Sequence, residues 1–258
     1  MRTELRLHVG LQNKKSVITD SFFTSPLKLG VPNTERERLK VVLMMASAGI
    51  LKGDEFVYDI CCGSGTKTLL TEQSYTKIFD TGDGGAKRRQ HIQVEQGASL
   101  YYCPCAAIPF GGSNYSGDMT VRLEEGSEFA YADIVAAGRV GMGERFAFRQ
   151  YKNRICVELG DIPVWLDHCM FRPDRLDLES LVFFDGHTHQ GTFYYYGKRE
   201  KQQQFLDWYL GKQEEIWKTA ACGITEAREG ICLRALADTA QDIEELFGQI
   251  AEVLELWK

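Results

Sequence analysis

From the N-terminus to about Gly197, apolar residues alternate with polar ones over short segments punctuated by glycine, and nothing else in the chain constrains its fold as tightly. Successive side chains on a strand point to opposite faces, so each such segment can bury one face and wet the other. Met119-Thr120-Val121-Arg122-Leu123 shows the pattern well. Further strands are expected at 39–45, 56–62, 68–75, 91–95, 99–103, 146–151 and 154–159. Many short strands with turn signals between them predict a mainly β body over 1–198.

Region 199–258 changes period, and its apolar residues fall at helical spacing. A helix is expected near 201–218. A second places Ile243, Leu246, Phe247, Ile250, Val253, Leu254 and Trp257 on one face, with Asp238 and Gln241 as a capping box at its start. No internal repeat or linker is visible, so the 258 residues read as one domain, a β-rich body over 1–198 and a mixed region over 199–258 with C-terminal helices.

A formal charge of -6 argues against a nucleic-acid partner, because phosphate binding requires clustered Lys and Arg. The one basic cluster, Lys87-Arg88-Arg89, reads as a solvated turn. The N-terminus lacks an apolar signal region, and the longest apolar stretch, 41–51, falls well short of the roughly 20 residues a membrane helix needs. A cytoplasmic protein without a membrane partner is expected. Eight cysteines with no C-x-x-C pair then read as free thiols.

Val57-Tyr58-Asp59-Ile60-Cys61-Cys62-Gly63-Ser64-Gly65 looks like the first motif of an S-adenosylmethionine-dependent methyltransferase, in which a glycine turn opens a helix over the cofactor. The strands that continue after Ile92 do not suit that fold. Cys103 and Cys105, like His187 and His189, stand two apart, which on a strand puts both members of a pair on one face. They read as weak metal-ligand candidates beside the alternative of buried thiols and a turn-borne histidine pair. No nucleophile motif is present.

Four segments in order resemble the UreD (UreH) family of urease accessory proteins. Ala48-Gly49-Ile50-Leu51-Lys52-Gly53-Asp54 is similar to its Gly-Gly-apolar-x-x-Gly-Asp element, and Gly63 through Phe79 to its G-x-G-A-x-A-x-L-T-T-Q-x-x-T-K-V-Y stretch. Pro104 to Phe110 resembles P-x-P-x-I-P-F, and Gly138 to Phe146 resembles G-R-x-A-x-G-E-x-F. Departures are Ala48 for Gly, Glu72 for Thr, Gly141 for Ala, and Cys105-Ala106 where an acidic residue and Pro are usual.

The resemblance implies a two-layer, partly β-helix-like stack of many strands with helices near the C-terminus, and no enzyme activity. It also implies direct binding to UreF, binding to the GTPase UreG through UreF, and docking on apo-urease. Nickel would be cargo in transit and no cofactor would be tightly held. Asp54, Thr71, Gln73, Lys77, Arg139 and Glu144 are the motif positions this implicates in a channel. Extending strand 146–151 back to Glu144 sets that carboxylate on the side of Phe146 and Phe148, where either Arg139 or a passing cation would stabilise it. For a docking surface, Phe193-Tyr194-Tyr195-Tyr196 and the C-terminal helix are the apolar candidates.

Overall fold

The computed structural model describes every residue except Val31, Arg36, Trp257 and Lys258. The alternating segments become strands β1 (Arg2–Gln12), β2 (Lys15–Phe23), β3 (Leu27–Leu29), β4 (Asn33–Glu35), β5 (Arg38–Met45) and β6 (Glu55–Cys62). Next come β7 (Lys67–Glu72), β8 (Thr76–Ile78), β9 (Ala86–Val94), β10 (Ser99–Cys103), β11 (Ala107–Pro109) and β12 (Asn114–Leu123). β13 (Glu128–Ala136), β14 (Gln150–Leu159), β15 (Ile162–Phe171) and β16 (His189–Tyr196) lead to helix α1 (Arg199–Ile216). The chain ends in β17 (Ala221–Glu226), β18 (Ile231–Ala237) and helix α2 (Ala240–Val253).

Seven strands make one sheet in the order β15-β14-β12-β9-β6-β1-β2. An eleven-stranded sheet lies against it in the order β17-β18-β16-β13-β10-β7-β5-β3, with β4, β8 and β11 paired onto it. Between β5 and β14 the chain passes back and forth between the sheets, and each strand after β5 except β8 lies parallel to an earlier one in its own sheet. This winding is a solenoid, as the β-helix-like expectation required. It is also a structural repeat that the residue identities do not betray. What recurs is a glycine at positive φ where the chain crosses from the smaller sheet to the larger, at Gly65, Gly97 and Gly126.

Two cores follow from the layering. Alternate residues of both sheets meet in the first, among them Leu7, Val41, Phe56, Leu70, Val94, Val121, Phe129 and Val157. The second lies between the larger sheet and the helices, where Phe193, Tyr195 and Leu233 pack on Phe205, Ile243, Phe247 and Ile250. Phe193, Tyr194 and Tyr195 are therefore fully buried, which overturns their reading as a docking surface. β16 is an interior strand, and aromatic residues there serve two cores at once.

Three local expectations also need correction. Residues 146–149 are not a strand, because Phe146 adopts a positive φ of 49° and the chain turns there before β14 begins at Gln150. Lys87-Arg88-Arg89 is no solvated turn but part of β9. The cap of α2 is Thr239, whose side chain accepts from the Asp242 amide at 3.1 Å, one residue beyond the expected pair. On the expected helical face Ile243, Leu246, Phe247, Ile250 and Leu254 are buried, while Trp257 lies outside the described residues.

Candidate functional site

A transverse row of polar side chains crosses the inter-sheet core, and strand alternation builds it. In β9, Ala86, Arg88, Gln90, Ile92 and Val94 share the inward face, so a guanidinium enters the core in phase with three apolar residues. Register then aligns Arg88 with Gly117 in β12, Asn153 in β14 and Cys169 in β15. Facing them from the larger sheet are Glu72, and Asp133, Thr192 and Arg234, which are in mutual register.

A buried charge requires a partner, and the row supplies two pairs. Arg88 Nη1 donates to Glu72 Oε1 at 3.1 Å, with the two side chains 11% and 9% exposed. Thr76 Oγ1 donates to the other Glu72 oxygen at 2.9 Å, and the guanidinium lies over the rings of Phe56 and Tyr58. At the far side, where the row reaches solvent, half-exposed Arg234 donates from Nη2 to the largely buried Asp167 across the sheets at 2.5 Å.

Asp133, between the two pairs, forms no ion pair among the described residues. It accepts from Asn153 Nδ2 at 3.0 Å, and burial followed by repulsion from Asp167 pushes its carboxyl up to about 6. Gly117 makes room beside them, since a Cβ there would stand 2.4 Å from Asn153 Oδ1.

Two cavities meet in this row. The larger, about 220 Å³, has apolar walls of Leu27, Leu43, Met45 and Ile50, and a floor that includes Glu72 and Arg88. Its rim is exposed and includes Ser47, Ala48, Gln73, Ser74, Tyr75 and Lys77. The smaller, about 30 Å³, is lined by Gln90, Cys105, Gly117, Asp133 and Asn153 and is large enough for about one water. Thr76 and Arg88 line both. Together they make a polar seam that runs from an open mouth toward the Asp167–Arg234 pair.

The motif residues distribute unevenly over this seam. Gln73 and Lys77 are on the rim. Thr71 alternates with the inward-facing Leu70 and Glu72, which turns it toward the helix side of β7. Asp54 lines neither cavity; it accepts from the N-terminal amino group at 3.1 Å and from the Leu51 amide at 2.9 Å. Arg139 and Glu144 lie outside both cavities as an ion pair, and Glu144 also accepts from the Gly111 amide at 2.6 Å. The Arg139 hydrogen bond holds the Glu144 carboxyl below its usual range.

Neither ligand pair shares a strand face. β10 ends at Cys103, which packs toward the helices, whereas Cys105 lines the smaller cavity. Burial raises both thiols, Cys105 to about 12. His187 sits in the turn before β16 against Asp238 at 3.2 Å, and half-buried His189 pairs with Thr188 at 2.8 Å. Among the described residues no group of three or more His, Cys, Asp or Glu side chains can hold a metal ion. All eight cysteines are free.

Sequence reasoning missed Arg88, Asp133, Asn153, Asp167 and Arg234, and noted Glu72 only as a departure from a motif. The alternation of β9 contains the signal for Arg88. No comparable signal marks the others, whose partners come from distant strands.

The helical turn that a methyltransferase motif requires is absent at this point in the chain, because Gly63-Ser64-Gly65 joins β6 to β7 in the opposite sheet. The family model described as UreD urease accessory protein matches residues 1–257. The chain is 30% identical over 257 residues to a urease accessory protein UreD of Acetivibrio thermocellus, covering 98% of this chain and 97% of that one. It is 33% identical over 189 residues to a urease accessory protein UreH of Helicobacter pylori, covering 73% and 71% respectively. A UreD of Actinobacillus pleuropneumoniae is 27% identical over 264 residues, covering 99% and 98%.

Proposed function

This chain belongs to the UreD family of urease accessory proteins and has a role in urease maturation, and from that premise we propose that it is a non-enzymatic scaffold whose polar seam passes nickel toward the urease active site. The observation that carries this reading is the transverse row itself. An apolar core tolerates polar groups only at a cost in stability, and here a whole row is retained across both sheets. A transit path needs scattered oxygen and nitrogen groups, because a closed set of strong ligands would trap the ion. Thr76, Gln90, Asn153 and the cation-free Asp133 suit that requirement.

The scaffold would bind UreF directly, UreG through UreF, and apo-urease, in the cytoplasm. No helix among the described residues is long and apolar enough to cross a membrane. Nickel is cargo in this reading, with no cofactor held. A second reading, a scaffold that never touches the metal, is favoured by Arg88, whose fixed positive charge stands where the two cavities meet.

Nickel-dependent activation of apo-urease by the assembled complex tests the choice. Asp133→Asn keeps the shape of the seam and removes its one cation-free carboxylate. With the complex intact, activation at limiting nickel is expected to fall and to recover partly with excess nickel. Glu144→Gln, outside both cavities, is the comparison. Normal activation by Asp133→Asn at limiting nickel would leave the pure scaffold.

A further inference from the structure

Arg88 carries a feature that its pairing with Glu72 does not absorb. Its side chain is about nine-tenths buried, and Glu72 takes Nη1, yet the Nε N–H is buried without an acceptor among the described residues. A buried guanidinium donor without a partner is costly, and the Nε edge of the fork is the edge that grips a carboxylate through two parallel N–H bonds. Above this side chain lies the 220 Å³ pocket, with Leu27, Leu43, Met45 and Ile50 as apolar walls. Lys77 adds positive charge at the rim. Apolar walls over one arginine suit a ligand with a carboxylate head and a short hydrocarbon tail.

We propose that this pocket is a binding site for a short-chain carboxylate, held head-down on Arg88 with its tail against the apolar walls. A turn of the guanidinium presents the Nε edge to the pocket while Nη1 stays on Glu72. Glu72 opposes the ligand's charge, so it sets the affinity. The proposal concerns this chain alone and does not depend on a cation crossing the seam.

The test is calorimetric titration of the whole chain with acetate, butyrate and hexanoate at constant ionic strength, with chloride as the control anion. Saturable binding is expected, tightening about fourfold for each methylene that enters the pocket. Glu72→Gln removes the opposing charge, so hexanoate is expected to bind that variant at least about tenfold more tightly. Hexanoate should also raise its Tm more than that of the parent chain. The paired change Glu72→Gln with Arg88→Met replaces the buried ion pair by neutral groups of similar size and should abolish binding while the near-UV circular dichroism is kept. Three results overturn the site: affinity independent of chain length, chloride as effective as hexanoate, or undiminished binding in the paired variant. If Glu72→Gln does not fold, the parent chain and the paired variant still decide.

Discussion

Asp133 shows how one side chain in the seam ties stability to pH. Its folded-state value of about 6 lies above the usual value for an aspartate, so the folded protein holds a proton that the unfolded chain has already released. Below the unfolded value both states are protonated and Asp133 costs nothing. As pH rises through the folded value, ionising the buried carboxyl destabilises the fold. Asp133→Asn is therefore expected to raise stability by about 1–3 kcal/mol at pH 8 and to leave it unchanged below about pH 4. Urea midpoints at the two pH values check this, and equal effects at both would remove burial of the charge as the cause. Glu144 has the opposite sign. Its depressed carboxyl contributes stability above the normal carboxylate range and loses it as pH falls through the lower folded value.

Strand and turn geometry decides where such side chains end up. Gly117 is in an inward position of β12, and its φ is not in the left-handed region, so an alanine there meets no backbone strain. The added Cβ would instead collide with Asn153 Oδ1 and push the amide off Asp133. Gly117→Ala is expected to destabilise by about 1–3 kcal/mol. The effects of Gly117→Ala and Asp133→Asn should not be additive, since both act on one contact. A double-mutant cycle by chemical denaturation reads that coupling.

The start of α2 separates two possible caps. Thr239→Ala removes the acceptor for the Asp242 amide and is expected to cost about 1 kcal/mol, whereas Asp238→Ala should cost clearly less. Thermal unfolding of both variants distinguishes them, and equal losses would contradict the observed cap.

Across the whole molecule, β16, β18 and β17 continue the larger sheet through the helical region. Ending the chain after Lys198 would remove β18 from one side of β16 and uncover Leu69, Tyr101, Phe193 and Tyr195 to water. Such a shortened protein is expected to aggregate, and the full chain to unfold in one cooperative step with no separate transition for 199–258. Two transitions in a denaturant titration would contradict this. Met142, Leu181 and Val182 are each about four-fifths exposed, whereas Phe193 to Tyr195 are buried.

Period-two alternation and the shift to helical spacing by themselves determined the strand-rich body, its C-terminal helices and the places of β5, β6, β7, β9, β10, β12 and β14, because those patterns depend only on neighbours along the chain. Even Arg88 was written into the alternation of β9, although a run of three basic residues disguised it. Only the tertiary structure decided that Glu72 meets Arg88, that Asn153 meets Asp133, and that Arg234 meets Asp167. It likewise separated Cys103 from Cys105 and removed Glu144 from any strand. The physical reason is that a strand's own sequence fixes which face a side chain occupies, whereas the stacking of solenoid coils and the facing of two sheets fix what lies opposite.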